Sequence, residues 1–302
     1  MVPFRVRIRY PLRSLTLPDQ STRLRARPVR AIEPRQNAKG EVFGLNYHPE
    51  AYWSGVATEI RKRGPQNRVA GDDNPFFRYK RQKFLRRFLA SLDFRGKVVL
   101  EVGCGPGGNL LEVVRSGAPH VIGIDISSEM LALVAETLHR HLGLVELRKT
   151  DGERLPLADR SVDLAFTVTV LQHNTDPAMF QPLVAELCRV TRQTLVLIED
   201  TRSYATGPND ENSWIARPVE TYAAECRKHG FRLTEHEFLG IKASRMAHNL
   251  IRRLLVPPNH REGNPFASLP LIFLNVSLIF TRPLDKILPD RCDLTKMVFV
   301  RS

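Results

Sequence analysis

The chain has 302 residues, 42% of them hydrophobic and 25% charged, which is globular composition and excludes a disordered or collagen-like chain. Its four cysteines (Cys104, Cys188, Cys226, Cys292) stand far apart, with no CxxC and no histidine at ligand spacing. That excludes a disulfide framework and a structural zinc site, so no metal is expected and a reducing, cytoplasmic setting is. The formal charge of +13 is concentrated, since residues 1–46 carry +7 and residues 61–90 carry +8, leaving −2 for the remainder.

Residues 1–46 alternate Arg with apolar residues and then scatter Pro11, Pro18, Pro28 and Pro34, a spacing that forbids a long helix. A poorly ordered basic arm is expected, without the apolar core of a secretory signal. Such charge can meet phosphate, nucleic acid or an anionic membrane surface, but solvated charge is the simpler reading. Residues 47–92 read as two helices. The first, from Pro49 to Gly64, carries Tyr52, Trp53, Val56 and Ile60. Gly64-Pro65 and Gly71–Pro75 break the chain, and a second helix places Phe77, Phe84, Leu85, Phe88 and Leu89 on one apolar face. Lys80, Arg81, Lys83, Arg86 and Arg87 are read as its other, solvated side.

From residue 93 strands and helices alternate. Strands are expected at Lys97–Val102, Val121–Ile126, Val145–Lys149, Leu164–Val170 and Thr194–Glu199. Helices are expected at Leu110–Arg115, Ser128–His141 and Ala178–Val190. This order predicts a parallel sheet with helices on both faces. A helix at Val219–His229 and strands at Phe231–Leu239 and Leu294–Val300 follow, the last two separated by an insertion over residues 240–293.

The first strand ends in Glu101-Val102-Gly103-Cys104-Gly105-Pro106-Gly107-Gly108-Asn109. A glycine turn that opens a helix lets a ligand approach the backbone and meet unpaired N–H groups. Gly103, Gly105 and Gly108 satisfy GxGxxG, a dinucleotide fingerprint, while Gly103, Gly105 and Gly107 equally satisfy GxGxG. The neighbouring acids separate the two. Glu101 repels a pyrophosphate but engages a cationic amino group. Asp125 ends the second strand about 20 residues after Gly105, where a carboxylate accepts from ribose hydroxyls. Asp151 follows the third strand, at the same sheet edge. Three acids and a glycine loop at successive strand ends describe a site for a neutral or cationic adenosine compound.

Glu101–Gly107, Gly123-Ile124-Asp125-Ile126-Ser127, Ser128-Glu129-Met130-Leu131, Asp151-Gly152-Glu153-Arg154-Leu155-Pro156 and Ser161-Val162-Asp163 together resemble the class I S-adenosylmethionine-dependent methyltransferases, close to the type 11 group that includes quinone-biosynthesis enzymes. The resemblance covers residues 85–200. It implies a Rossmann-like, doubly wound sheet of seven strands, mostly parallel with the last antiparallel, with N-terminal lid helices and a helical insertion before the last strand. It implies S-adenosylmethionine as cofactor. Glu101, Gly103, Cys104, Gly105, Gly107 and Asn109 would surround its methionine end, and Asp125 its ribose. Ile126 and Met130 would flank the adenine, Asp151, Gly152 and Glu153 would lie at the adenine amino group, and Thr167 near the methionine amine. Cys104 itself reads as a loop filler and Asp163 as a strand-end cap.

His173, directly after the fourth strand, is the candidate general base for an acceptor with a proton to lose. Tyr52, Trp53, Arg78 and Tyr79 from the lid helices, with Glu199 and Asp200 at the end of the fifth strand, are expected to line the acceptor pocket. The insertion holds an apolar run, Leu269–Phe280, beside a basic helix, Lys242–Leu255. This favours a small-molecule or lipid-like acceptor, methylated on oxygen, nitrogen or carbon, and offers a surface for peripheral membrane contact, although a packed helical subdomain satisfies the same pattern. An RNA acceptor for the basic N-terminal third is the alternative, against which no RNA-binding module is found. A non-catalytic or nicotinamide-binding protein of the same fold is the other.

Overall fold

The computed structural model describes residues 47–63, 73–204, 206, 213–257, 260, 266–290 and 292–302. The basic arm, the break at residues 64–72 and Gly207-Pro208 lie outside the described residues. In chain order the elements are α1 (Pro49–Lys62), α2 (Pro75–Arg87), β1 (Val98–Val102), α3 (Gly108–Arg115), β2 (His120–Asp125), α4 (Ser128–Thr137), β3 (Val145–Lys149) and β4 (Val162–Val168). There follow α5 (Pro177–Val190), β5 (Thr191–Thr201), α6 (Val219–Lys228), β6 (Phe231–Phe238), α7 (Lys242–Leu255), α8 (Ser268–Leu284) and β7 (Asp293–Arg301).

The seven strands form one sheet in the order β3-β2-β1-β4-β5-β7-β6. β1 to β5 are parallel, and β7 runs antiparallel to both β5 and β6. This is the doubly wound Rossmann-like sheet with one reversed strand that the sequence implies. Winding reverses between β1 and β4, and the crevice outside the carboxyl ends of strands at such a reversal is where open α/β sheets bind ligands.

Both sheet faces are covered, so the strands read as apolar runs. Val99 of β1 packs into a core with Phe84, Phe88, Phe94 and Leu110. Leu100 and Val102 pack on the opposite face with residues of α5 and α6, such as Leu187 and Tyr222. The alternation leaves Glu101 on the α2 side at the end of the strand. Local chemistry starts the helices. Asn74 accepts from Phe77 N at 3.1 Å ahead of Pro75, Ser127 from Met130 N at 3.2 Å, and Asp176 from Ala178 N at 2.8 Å. α7 has no cap of its own. Asp285, just past α8, accepts from Ala243 N at 2.8 Å and Ser244 N at 3.1 Å instead, which ties the two helices of the insertion together.

Two boundaries differ from the sequence reading for physical reasons. β4 ends at Val168 and not Val170, because Thr169 turns the chain with φ 56°. β5 spans Thr191–Thr201 because β7 pairs with it from Thr194↔Val300 to Thr201↔Asp293. α2 also differs in its faces. Phe77, Arg81 and Phe84 follow one another at helical spacing, and Arg81 turns toward the sheet and not to solvent.

Candidate active site at the carboxyl edge of the sheet

β1, β2 and β4 are registered so that their ends lie side by side, with Glu101 opposite Gly123 and Val102 opposite Thr167. The glycine loop follows β1. Gly103, Gly105 and Gly107 take φ of 71°, 51° and 84°, while Gly108 opens α3, so the loop uses the GxGxG spacing. At Gly103 an added Cβ would stand 2.3 Å from Val170 Cγ2, so the β1 and β4 loops meet at the winding reversal. At Gly105 an added Cβ would meet nothing within 4 Å, so the loop leaves open space on that side. Gly103 N and Cys104 N donate to Ile124 O at 2.8 and 3.1 Å, which binds the loop to the end of β2.

Asp125 is buried at this junction. Its Oδ2 accepts from Gly105 N at 2.8 Å and its Oδ1 from Ser127 N at 2.9 Å. One carboxylate thereby holds both the glycine loop and the start of α4. Glu101 is 1% exposed. Its Oε1 accepts from Asn109 Nδ2 at 2.6 Å, and its Oε2 is buried with no hydrogen-bond partner among the described residues. Burial pushes its carboxyl up to about 8. Asn109 in turn accepts from Arg81 of α2. α2 is therefore wired to the start of α3, beside the glycine loop, through a half-buried guanidinium.

The other cofactor-side residues divide. Asp151 lies beyond β3 beside an open pocket lined by Thr150, Arg154, Leu155 and Pro156. Its Oδ1 accepts from Glu153 N at 2.9 Å and Arg154 N at 3.1 Å, which holds its carboxyl below the usual range and ionised. Ile126 and Gly152 are neighbours across that rim. Glu153 is exposed and contributes its backbone N–H to Asp151. Met130 differs from its assignment, being buried with Val56, Ala57, Ile60 and Leu133 where α1 packs on α4. Cys104 is a buried filler whose thiol burial pushes well above its ordinary range. Asp163 accepts from Val98 N at 2.9 Å and pairs with Arg192, a strand-start role away from the site.

Thr167 and Glu199 need correction. Thr167 is sealed from solvent and gives its hydroxyl to Glu199 Oε1 at 2.8 Å. Glu199 is equally sealed, and accepts from Val170 N and Gln172 N at 3.2 Å each. Its carboxylate braces the turn after β4. Tyr79 gives its hydroxyl to Asp285 at 3.1 Å and is a strut between α2 and the end of α8. Arg78 faces solvent and pairs with Asp73 at 2.8 Å. These four side chains are engaged in these contacts.

The braced turn presents His173. Its Nδ1 lies 2.7 Å from the carbonyl oxygen of Ser213. A carbonyl only accepts, so Nδ1 carries the hydrogen and Nε2 keeps a lone pair. Burial lowers the imidazole below its ordinary range, so it is neutral near pH 7. Trp53 of α1 stands edge-on to the ring at 4.9 Å, with Tyr52 against Trp53 at 5.1 Å. Arg217 fixes the turn from outside, donating to Leu171 O at 2.9 Å and to Asn174 O. Asp200 receives Lys80 Nζ at 3.6 Å, and the same ammonium lies 3.9 Å from Asp293, which Arg245 also approaches at 3.6 Å. Sequence reading missed Arg81, Ser213, Lys80 and Asp293. For Arg81 alone a signal existed, its place on the Phe77–Phe84 stripe.

Residues 99–194 match the family model of a methyltransferase domain. An uncharacterized 37.1 kDa protein of transposon TN4556 from Streptomyces fradiae is 43% identical over 107 residues, 34% of this chain and 30% of that one. Phosphoethanolamine N-methyltransferase 2 of Caenorhabditis elegans is 36% identical over 96 residues, 31% of this chain and 21% of its own. A malonyl-acyl-carrier-protein O-methyltransferase of Marinomonas is 33% identical over 136 residues, 43% of this chain and 48% of its own. The matches thus span less than half the length of each of these relatives. In fold, the chain resembles the solved 4+2 cyclase SpnF, with a TM-score of 0.57 at 18% identity over 83% of this chain and 95% of that one.

Proposed function

We propose, from a chain that carries a class I S-adenosylmethionine-dependent methyltransferase domain, that it transfers a methyl group from that cofactor to a small-molecule or amphiphilic acceptor bearing an O–H or N–H. One observation carries the cofactor reading. A buried carboxylate oxygen of Glu101 stands without a partner beside a glycine loop that leaves open space at Gly105. A cationic amino group beside Glu101 draws the carboxyl to its ionised form and gives the unpartnered oxygen a partner, which a phosphate does not, so the residues present suit the methionine end of S-adenosylmethionine better than the pyrophosphate of NAD. Asp125 would hold the ribose hydroxyls, and Ile126, Asp151 and Gly152 the adenine side. When bound, this cofactor supplies an already activated methyl group. The protein's own task is then positioning, exclusion of water and proton removal.

His173 is suited to the last of these. Ser213 fixes the tautomer that leaves Nε2 as a base, and the lowered pKa keeps it unprotonated at neutral pH. Trp53 walls the ring in, and Tyr52 supports Trp53. Asp200 with Lys80 and Asp293 forms a charged border at the β5 end of the crevice. The relatives include phosphoethanolamine N-methyltransferases and a malonyl-acyl-carrier-protein O-methyltransferase, in keeping with a small-molecule or amphiphilic acceptor.

Glu101 gives the proposal a pH signature. Burial pushes its carboxyl up to about 8, and a cationic amino group beside it favours the ionised form. Binding of S-adenosylhomocysteine near neutral pH therefore releases a proton. Affinity rises from pH 6 toward pH 8, by up to about tenfold per unit, and levels once Glu101 is ionised beforehand. Calorimetry in buffers of different ionisation heat measures the released proton. A Glu101→Gln variant shows no such slope, and an equal slope in that variant would remove Glu101 from the site.

A further inference from the structure

α7 and α8 carry an apolar surface exposed among the described residues. α8 buries Pro270, Leu274 and Leu278 on its inner side. A surface helix places polar residues opposite its buried stripe. α8 instead presents Ile272, Phe273, Val276, Ile279 and Phe280 outward, the last two 69% and 67% exposed. α7 adds Met246, Leu250 and Leu254 at successive helical turns, Leu254 being 69% exposed. Contiguous apolar surface of this kind on a soluble fold marks a contact site.

Charge says what kind of contact. The two helices contain not one acid, and their Arg252, Arg253 and Arg282 are exposed, with Lys242 half-buried, whereas Arg245 turns inward to Asp290 and Asp293. Asp285, next along the chain, is buried under the start of α7, while Lys286 is exposed. A second copy meeting this face by a two-fold axis would set these like charges against each other. A surface of anionic lipid answers both the apolar side chains and the basic ones, as for amphipathic helices that lie in the headgroup region. Among the described residues no helix is long and apolar enough to cross a membrane, so the pair would lie on it.

The helices that carry this face are tied to the crevice through α2. Tyr79 and Asp285 join α2 to the end of α8, the Arg282 guanidinium sits 4.9 Å over the Tyr79 ring, and Lys83 donates to Gly240 O ahead of α7. α2 in turn reaches the glycine loop through Arg81 and Asn109. We infer that the outer face of α7 and α8 docks the protein on an anionic membrane surface, with the crevice beside it served by an acceptor drawn from that bilayer. Only the acceptor clause rests on the methyl-transfer reading.

The test is sedimentation of the full chain with vesicles of equal parts phosphatidylcholine and phosphatidylglycerol, against phosphatidylcholine alone. The wild type is expected to sediment with the anionic vesicles, and the double variant Ile279→Asp/Phe280→Asp to lose at least about tenfold in partitioning while the basic arm remains intact. Leu254→Asp on α7 is the second variant, should the first fail to fold. Thermal unfolding of both variants establishes that the fold persists. Undiminished sedimentation of both variants would overturn the inference. So would absence of wild-type sedimentation, or a concentration-dependent dimer that Ile279→Asp abolishes. Vesicle binding by a wild type that does not bind S-adenosylhomocysteine would keep the docking and sink the methyl-transfer reading.

Discussion

Replacing Asp125 with alanine weakens binding of S-adenosylhomocysteine by about 100-fold or more. The carboxylate accepts from Gly105 N and Ser127 N, and each charge-assisted hydrogen bond is worth roughly 1.5–3 kcal/mol. Without it the glycine loop loses its tie to the start of α4, two backbone donors lose their acceptor, and the ribose hydroxyls lose theirs. A loss near 3 kcal/mol corresponds to about 150-fold in affinity. Asp125→Asn falls between, because an amide can accept one of the two backbone hydrogens but not both. Calorimetry reads the affinities, and thermal unfolding checks that the variant remains folded. Wild-type affinity in a folded Asp125→Ala protein would place the adenosine end elsewhere.

His173→Ala leaves S-adenosylhomocysteine affinity unchanged and lowers turnover by about 100- to 10,000-fold, the range of a general base. The distinction rests on geometry. His173 stands after β4, bound to Ser213 O, whereas Glu101 and Asp125 stand at the ends of β1 and β2. Because its imidazole pKa is lowered by burial, the wild-type turnover at saturating S-adenosylmethionine is lost only below its ordinary titration range, as Nε2 gains a proton. That acid limb disappears in the variant. An acid limb that survives in His173→Ala, or a turnover that does not change, assigns the proton to another group and leaves His173 as a wall of the crevice.

Much of this site was legible because its chemistry is local in sequence. A β-branched run closing on Glu101, the glycine spacing and the acid at Asp125 are each read within a few residues, and strand–helix alternation places them on one edge. What was not legible depends on distance. Ser213, which sets the tautomer of His173, lies 40 positions away, and the Tyr79–Asp285 strut spans 206. Glu199 and Thr167 were assigned to the cleft because both stand at strand ends. In a sheet covered on both faces, apolar runs do not show which way a polar residue points, and these two point at each other. The choice between GxGxG and GxGxxG required backbone angles, since glycine at Gly107 and Gly108 satisfies either. Arg81 was assigned to solvent by its charge, although its spacing from Phe77 and Phe84 put it on the buried face.

Titration calorimetry of the full chain with S-adenosylmethionine, S-adenosylhomocysteine and NAD decides whether the crevice takes the adenosyl cofactor. The prediction is saturable micromolar binding of both adenosyl compounds and none of NAD. Binding of NAD, or of neither adenosyl compound, would contradict it.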